Sequence, residues 1–166
     1  MPEMRAPMTV SVVLPQVSAL CEQPSKRRIG PRAQTSFGGV ASRAIDDNQD
    51  GRYRSNSVTH TNHSQQPWWQ VDLGSERSID NITLWNRTDN CCTSRLSDFH
   101  ILVSSEPFGD RSLSELLASD SVWSTNISSL QGSSINRSVD QSGRYVRIQL
   151  AGTQALSLAE VEIFGN

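Results

Sequence analysis

Short hydrophobic runs recur along the chain between clusters of Gly, Asn, Asp and Ser, which is the pattern of strands separated by turns. In the run Arg144 to Leu150, Val146, Ile148 and Leu150 occupy alternate positions and are predicted to share a buried face. Arg147 and Gln149, between them, are expected to face water. The five clearest runs are Gln70 to Leu73, Ile79 to Asn86, Phe99 to Ser104, Arg144 to Leu150 and Ala159 to Phe164.

One segment has a helical pattern instead. Ser112 and Glu115 have the spacing of a capping box, and the leucines that follow Ser112 share one helical face, which predicts a short helix from Ser112 to Ala118. Several short strands without a βαβ alternation favour an all-β fold. We therefore expect a jelly-roll β-sandwich with short loops and at most one short helix.

Trp68 and Trp69 stand directly before a predicted buried strand. A tryptophan pair can anchor a core or form a platform for a sugar ring. Because the strand that follows is predicted to be buried, we expect the pair to belong to the core.

The first 25 residues have neither helical nor strand periodicity and are interrupted by four prolines. We interpret residues 1–25, which include Cys21, as a leader or linker, and residues 26–166 as a single domain. The formal net charge is -2 and the basic residues are scattered, which argues against a nucleic-acid partner. The sequence also contains no apolar stretch of the roughly 18 residues that a membrane-spanning helix needs.

Cys91 and Cys92 are adjacent, with Arg87 before them and Arg95 after them. Adjacent cysteines can close an eight-membered disulfide ring, which offers a small apolar surface, and the two arginines would frame that surface with hydrogen-bond donors. This combination suits a sugar-binding site. Two reduced thiols are the alternative, and they are the simpler interpretation for a cytosolic protein.

Six segments carry a resemblance to a known family. They are Phe37-Gly38-Gly39, Ala44-Ile45-Asp46, the segment 67–74, Asn86-Arg87-Thr88-Asp89, the segment 143–148 and the segment 160–165. In this order they resemble the F-type lectins, the fucolectin family, over roughly residues 26–166. The resemblance implies the jelly-roll fold of that family and a function in carbohydrate binding.

The sugar-binding motif of this family is His, twenty-six residues, Arg-x-Asp, four residues, and Arg or Lys. His60, Arg87 and Asp89 match the first part, because twenty-six residues separate His60 from Arg87. The second part departs, since five residues separate Asp89 from Arg95. The family spacing Cys-Cys-x-x-Arg is kept, so the extra residue is Asn90.

The resemblance implies a role in fucose binding for His60, Arg87, Arg95, Cys91, Cys92 and Tyr53. Fucose is 6-deoxygalactose, with a methyl group, an axial hydroxyl and a ring oxygen on neighbouring edges. Arginine side chains can donate to the ring oxygen and adjacent hydroxyls, and the histidine can donate to or accept from the axial hydroxyl. The cysteine ring would pack against the C1–C2 edge of the sugar, and Tyr53 against its methyl group. Asp89 is expected to pair with one arginine and organise the site.

The segment 46–51 is rich in oxygen ligands, although it lacks the pattern of an EF-hand. The resemblance implies a structural calcium ion held by the Arg43 carbonyl, Asp46, Asn48, Ser57, the Ala159 carbonyl and the Glu160 carboxylate. Asp47 stands where the family usually has glycine.

We expect a non-enzymatic lectin, secreted or at the cell surface, that recognises terminal α-L-fucose on glycans and gains avidity as a possible homo-oligomer. The alternative is a discoidin-like adhesion module that has lost fucose binding through the insertion at Asn90 and binds another glycan, a protein or a lipid headgroup. A glycosidase would need two facing carboxyl groups, and Asp89 is the only acid in the motif.

Overall fold

The computed structural model describes residues 35–130 and 132–166. Its strands are β1 (Ser64–Gln65), β2 (Trp68–Trp85), β3 (Ser97–Ser104), β4 (Val122–Ser129), β5 (Ser134–Leu150), β6 (Thr153–Gln154) and β7 (Glu160–Gly165). Its helices are α1 (Leu113–Leu117) and the short 3₁₀ helices Ala41–Ile45, Tyr53–Ser55 and Thr93–Arg95. The expectations for residues 1–25 and Cys21 lie outside the described residues.

Two antiparallel sheets confirm the all-β fold. Five strands form the larger sheet in the order β4-β3-β5-β2-β7, and β1 pairs with β6 in a two-stranded sheet. The expected short loops hold only in part, because residues 86–96 join β2 to β3 and residues 105–121, which include α1, join β3 to β4. The described helices are all of five residues or fewer. None of them is long and apolar enough to cross a membrane.

The two longest strands, β2 and β5, are neighbours in the larger sheet. They pair along nearly their whole length, with register shifts between Asp72 and Arg77 and between Ile79 and Asn81. Bulges of this kind bend and twist a strand. β3 pairs with β4 on one side and with the C-terminal part of β5 on the other, and β7 pairs with the C-terminal part of β2. The end of β2 and the start of β3 reach a common edge, because the residues that follow β2 and precede β3 both hydrogen-bond to the connection between β4 and β5. The loops described below are attached to this edge.

The core contains the apolar residues that the alternation predicted. Val146, Ile148 and Leu150 are all buried in it, and so is Trp69, whose indole nitrogen donates to the Ala41 carbonyl at 3.0 Å. The tryptophan pair therefore serves the core, with Trp68 half-buried at its margin.

The expectation that Arg147 and Gln149 face water is wrong. Arg147 is only 1% exposed; its guanidinium carbon lies 4.5 Å from the Trp68 ring centroid and 4.6 Å from that of Phe108. Its Nη2 donates to Gln70 Oε1 at 2.8 Å. A second apolar cluster covers this face of the sheet, and it consists of Leu102, Phe108, Leu113, Leu116 and Val122.

The predicted helix is confirmed as α1. Ser112 is its N-cap, the Ser112 hydroxyl accepts from the Glu115 backbone, and the Glu115 carboxylate accepts from the Ser112 backbone. Leu113 and Leu116 are buried against β3 and β4. The capping box thus starts the short element that closes the second face of the sheet.

Candidate functional site

Four loop segments meet at the edge where β2 ends and β3 begins. β2 is followed by Asn86 and then by Arg87, and the 3₁₀ helix Thr93–Arg95 leads into β3. Tyr53 opens another 3₁₀ helix, and His60 lies in the extended stretch before β1. Residues distant in the sequence are therefore presented together from the end of a rigid sheet.

His60 is held from both of its ring nitrogens. Its Nδ1 lies 2.7 Å from the Thr61 carbonyl, which can only accept, so Nδ1 carries the proton. Nε2 then accepts from Arg95 Nη1 at 3.1 Å. The residue is only 8% exposed, and its backbone N–H donates to the Gly39 carbonyl. The ring is thus a neutral acceptor with a fixed orientation.

The electrostatics of the site favour the neutral imidazole. Burial lowers the pKa of His60 below its ordinary value, and the positive charges of Arg95 and Arg87 lower it further. The hydrogen bond to the Thr61 carbonyl acts in the opposite direction. At neutral pH Nε2 is therefore an acceptor, and in this structure it accepts from Arg95.

Arg87 and Asp89 form a bidentate pair, as expected for one of the two arginines. The distances are 2.6 Å from Arg87 Nε to Asp89 Oδ1 and 3.1 Å from Nη2 to Oδ2. Asp89 Oδ2 also accepts from the Tyr53 backbone at 3.0 Å. The Arg87 hydrogen bonds hold the pKa of Asp89 below its ordinary value, so the carboxylate stays ionised.

Tyr53 lies between Arg87 and His60 and contacts both of them. The guanidinium carbon of Arg87 lies 4.8 Å from the centroid of the Tyr53 ring, and the ring is edge-on to His60 at 5.8 Å. The Tyr53 hydroxyl donates to the Phe37 carbonyl. The aromatic ring is therefore fixed between the arginine and the histidine.

The sulfur atoms of Cys91 and Cys92 are bonded to each other. Asn90, the extra residue, has φ of +59° and Cys92 has φ of +69°. Asn adopts this left-handed conformation more readily than most residues. Arg95 N donates to the Cys92 carbonyl at 3.0 Å, which places Arg95 one turn beyond the cysteine pair.

Sequence reasoning did not assign a role to Phe37, which lies at the rim of the site. Its ring is edge-on to His60 at 5.3 Å, and the residue is 83% exposed with φ of +54°. The backbone around it is tied to His60, because Ser36 N donates to the His60 carbonyl at 2.9 Å. An exposed aromatic residue in a constrained turn beside polar groups was the signal that could have found it.

Two of the predicted metal-ligating residues, Asp46 and Glu160, meet at the start of β7. The Asp46 backbone N–H donates to Glu160 Oε2 at 3.3 Å. Asp46 Oδ1 accepts from Asn48 N, and Asn48 Oδ1 accepts from Asp50 N. The Ser57 hydroxyl donates to the carbonyls of Asp50 and Arg52. Asp47 has φ of +62°, a conformation that favours the glycine usual in the family.

Glu160 is a carboxyl group buried in this loop, only 2% exposed. Burial raises its pKa to about 7, and the backbone N–H groups of the loop act in the opposite direction. Within the described residues its carboxylate accepts from Asp46 N and forms no ion pair with an Arg or Lys. Among the residues that the structure describes, no group of three or more His, Cys, Asp or Glu side chains is placed to hold a metal ion. A hard cation bound here would therefore depend on amide, hydroxyl and carbonyl oxygens as well.

Comparison with known proteins gives a consistent result. A family model described as "NedA-like, galactose-binding domain" matches residues 43–148. Fucolectin-6 of Anguilla japonica is 35% identical over 123 residues, which cover 74% of this chain and 62% of the relative. The chain thus spans less than two thirds of the length of that protein. A fucolectin of Anguilla anguilla is 30% identical, with 80% of each chain covered.

A solved structure agrees with these relatives. The lectin domain of lectinolysin, in complex with Lewis B antigen, superimposes with a TM-score of 0.70 and 34% identity, covering 81% of this chain and 89% of that one. These relatives are lectins, in agreement with the expectation that the domain is not an enzyme. The chain belongs to the F-type lectin, or fucolectin, family.

Proposed function

We propose that this domain is a lectin that binds terminal α-L-fucose on glycans. The observation that carries the proposal is the convergence of His60, Arg87 and Arg95, with Arg95 Nη1 3.1 Å from His60 Nε2. The names of the relatives, fucolectins, point to the same ligand.

Each group in the site suits one edge of fucose. The neutral His60 Nε2 has one lone pair, so the axial hydroxyl of the sugar would replace Arg95 Nη1 as its donor and free that N–H to donate to the sugar. The arginines supply donors for the ring oxygen and the adjacent hydroxyl groups. Arg87 is already fixed by Asp89, so little side-chain freedom is lost when the sugar binds. Tyr53 and the Cys91–Cys92 ring supply the apolar contacts for the methyl group and the C1–C2 edge.

Selectivity for fucose over galactose follows from the methyl group. In the same pose galactose would place its 6-hydroxyl on an apolar patch, where that hydroxyl loses hydrogen bonds to water. We therefore propose that galactose binds much more weakly than fucose.

The insertion at Asn90 does not favour the alternative of a module that has lost fucose binding. The extra residue lies in an exposed turn, and Arg95 still reaches His60 beyond it. These contacts support retention of the arginine at the site.

Binding to a glycan array, with free L-fucose as competitor, tests the proposed function. Fucosylated glycans should be retained, released by free fucose and not by galactose, and lost in Arg87→Ala. Arg144→Ala is a matched control, because Arg144 makes a similar bidentate pair with Asp72 on the long strands. If Arg87→Ala binds like the wild type, or if fucosylated glycans are not retained, the proposal is wrong.

We also propose a structural calcium ion at the loop that surrounds Glu160. The donor set is made of oxygen atoms, and a buried carboxylate without a cationic partner among the described residues fits the charge of calcium. The residues that would hold the ion are the Arg43 carbonyl, Asp46, Asn48, Ser57, the Ala159 carbonyl and Glu160. The ion would supply positive charge that stabilises this loop against β7.

The proposed setting is outside the cell. A bonded cysteine pair persists in oxidising compartments, and terminal fucose is displayed on secreted and cell-surface glycans. A single site of this kind binds weakly, so we propose that several copies act together on one glycan surface.

A further inference from the structure

Asn86 lies at the base of the loop that carries most of the site. It follows the last residue of β2 and is 2% exposed. Its Oδ1 accepts from Arg87 N at 2.8 Å, and its Nδ2 donates to the Thr93 carbonyl at 3.0 Å. Its own backbone N–H donates to Ser133 at 2.8 Å, which anchors it to the start of β5. One buried amide thus joins both ends of the loop 87–93.

The two ends of this loop are where the arginines are attached. Arg87 is the first residue of the loop, and Thr93 begins the 3₁₀ helix that ends at Arg95. Because this helix is a single turn, a shift of Thr93 moves Arg95 with it. The distance between the two arginines therefore depends on the amide that spans from Arg87 to Thr93.

The same tie explains how the loop accommodates its extra residue. Asn90 and Cys91 are exposed and Asn90 has a left-handed backbone conformation, so the additional length projects outward. The ends of the loop stay joined by Asn86, and Arg95 remains 3.1 Å from His60. The insertion is absorbed between two fixed points.

We propose that Asn86 is a positioning residue of the sugar site, whose amide fixes the separation of Arg87 and Arg95. Asn86 lies outside the His, Arg-x-Asp and Arg motif and is not among the residues proposed to touch the sugar. The inference rests on the proposed fucose-binding function, and its experiment has one readout that does not need the sugar.

Two substitutions remove the hydrogen bond from Asn86 to the Thr93 carbonyl in different ways. Asn86→Leu keeps a side chain of similar size without hydrogen-bonding atoms, and Asn86→Ser leaves a hydroxyl that is too short to reach Thr93. Loss of a buried hydrogen bond of this kind typically weakens a coupled equilibrium by roughly tenfold. We therefore expect L-fucose affinity, measured by calorimetry, to fall by about tenfold or more in both variants.

The second readout separates positioning from a merely structural role. The Arg95 charge lowers the pKa of His60, so displacement of Arg95 should raise the His60 titration midpoint in an NMR pH series. A loss of overall stability alone would leave that midpoint unchanged in the folded protein. His100, on β3, is the internal reference.

The control is Asn136→Leu, because Asn136 Nδ2 donates across the sheet to Asn81 at 2.8 Å and Thr83 at 2.7 Å, on an exposed surface. Protein from a bacterial host avoids N-glycosylation, since both positions are Asn-x-Ser/Thr triplets. We expect the control to keep the wild-type affinity and the wild-type His60 midpoint.

A folded Asn86 variant with weaker fucose binding and a raised His60 midpoint supports the proposal, and an unchanged midpoint overturns it. Fucose affinity within twofold of the wild type in a folded variant also overturns it. If the wild type itself binds no fucose, the proposed function fails, and the His60 midpoint still decides the role of Asn86.

Discussion

His60 enters the site as a neutral hydrogen-bond acceptor rather than as a cation. The Thr61 carbonyl fixes the proton on Nδ1, and burial together with two nearby arginines lowers the pKa of the ring. Protonation would place a third positive charge beside Arg87 and Arg95 and remove the acceptor. The protonation state of one residue should therefore control sugar binding.

Fucose affinity should fall as the pH is lowered from 7.5 to 5. The folded-state pKa of His60 lies below the ordinary value of 6.5, so the neutral form that accepts from the sugar is lost only below about pH 6.5. The unfolded chain takes up this proton first, so His60 also contributes a loss of stability as the pH falls from 6.5 through the folded pKa. Calorimetric titration with L-fucose at several pH values measures the effect.

His60→Gln is the matched control for this prediction. Glutamine keeps a neutral acceptor that does not titrate, so the remaining affinity should be nearly independent of pH over the same range. Wild-type binding that is constant or stronger at pH 5 would contradict the assigned role of His60.

At the level of single residues, the match to the family's sugar-binding motif predicted which side chains meet. The interval between His60 and Arg87 pointed to one site, and the structure places both beside Tyr53. Phe37 and Asn86 were not assigned roles, because their importance depends on contacts across loops that spacing does not show. A buried amide that satisfies two backbone groups looks in the sequence like any other asparagine.

Among the elements of the fold, the loop 46–51 packs directly against the loop 87–93, which begins with Arg87. Thr88 N donates to the Gly51 carbonyl at 2.9 Å. A Cβ atom at Gly51 would clash with Thr88 Oγ1 and would lie 2.7 Å from the Asn86 carbonyl oxygen. The absence of a side chain at Gly51 allows these two loops to touch.

Gly51→Ala should therefore lower both stability and fucose affinity. The methyl group cannot fit without moving the Asn86 and Thr88 backbone, and strain of this kind typically costs about 1–3 kcal/mol. Thermal unfolding and fucose titration of the same sample measure the two effects.

Gly152→Ala is the control for Gly51→Ala. A Cβ atom at Gly152 would have no neighbouring atom within 4 Å, and the φ of this residue is not in the left-handed region. We expect wild-type stability and affinity for this variant. A Gly51→Ala protein that also behaves like the wild type would show that the two loops do not need their close contact.

The sequence predicted the elements that have one apolar and one polar face more readily than the others. β4 was missed because its exposed positions are rich in Ser, Thr and Asn, and the first half of β5 is largely polar on both faces. Arg147 was misjudged because alternation cannot show that α1 and Phe108 cover the second face of the sheet. Such coverage is a tertiary effect that a local pattern does not contain.

For the whole molecule, the proposed calcium ion would join the loop 46–51 to the strand β7. Calcium should raise the unfolding temperature of chelator-treated protein. At a hundredfold excess over Kd the gain is about 2.7 kcal/mol. For a domain of this size that corresponds to roughly 5–10 °C. Differential scanning calorimetry with and without calcium measures the shift.

Glu160→Gln tests the origin of that shift. The neutral amide keeps the size of the side chain but removes the charge that a calcium ion needs, so the calcium response should disappear. Glu162→Gln, on the same strand, is the control and should keep it. A chelator-insensitive wild-type protein would contradict the proposed calcium site.

The most direct test of fucose recognition at this site is a crystal structure of the domain with bound L-fucose. We expect the sugar against Tyr53 and the Cys91–Cys92 ring, with Arg87 and Arg95 donating to it and His60 Nε2 accepting from its axial hydroxyl. Fucose bound elsewhere on the domain, or no bound fucose at a concentration that saturates related lectins, would contradict the proposed function.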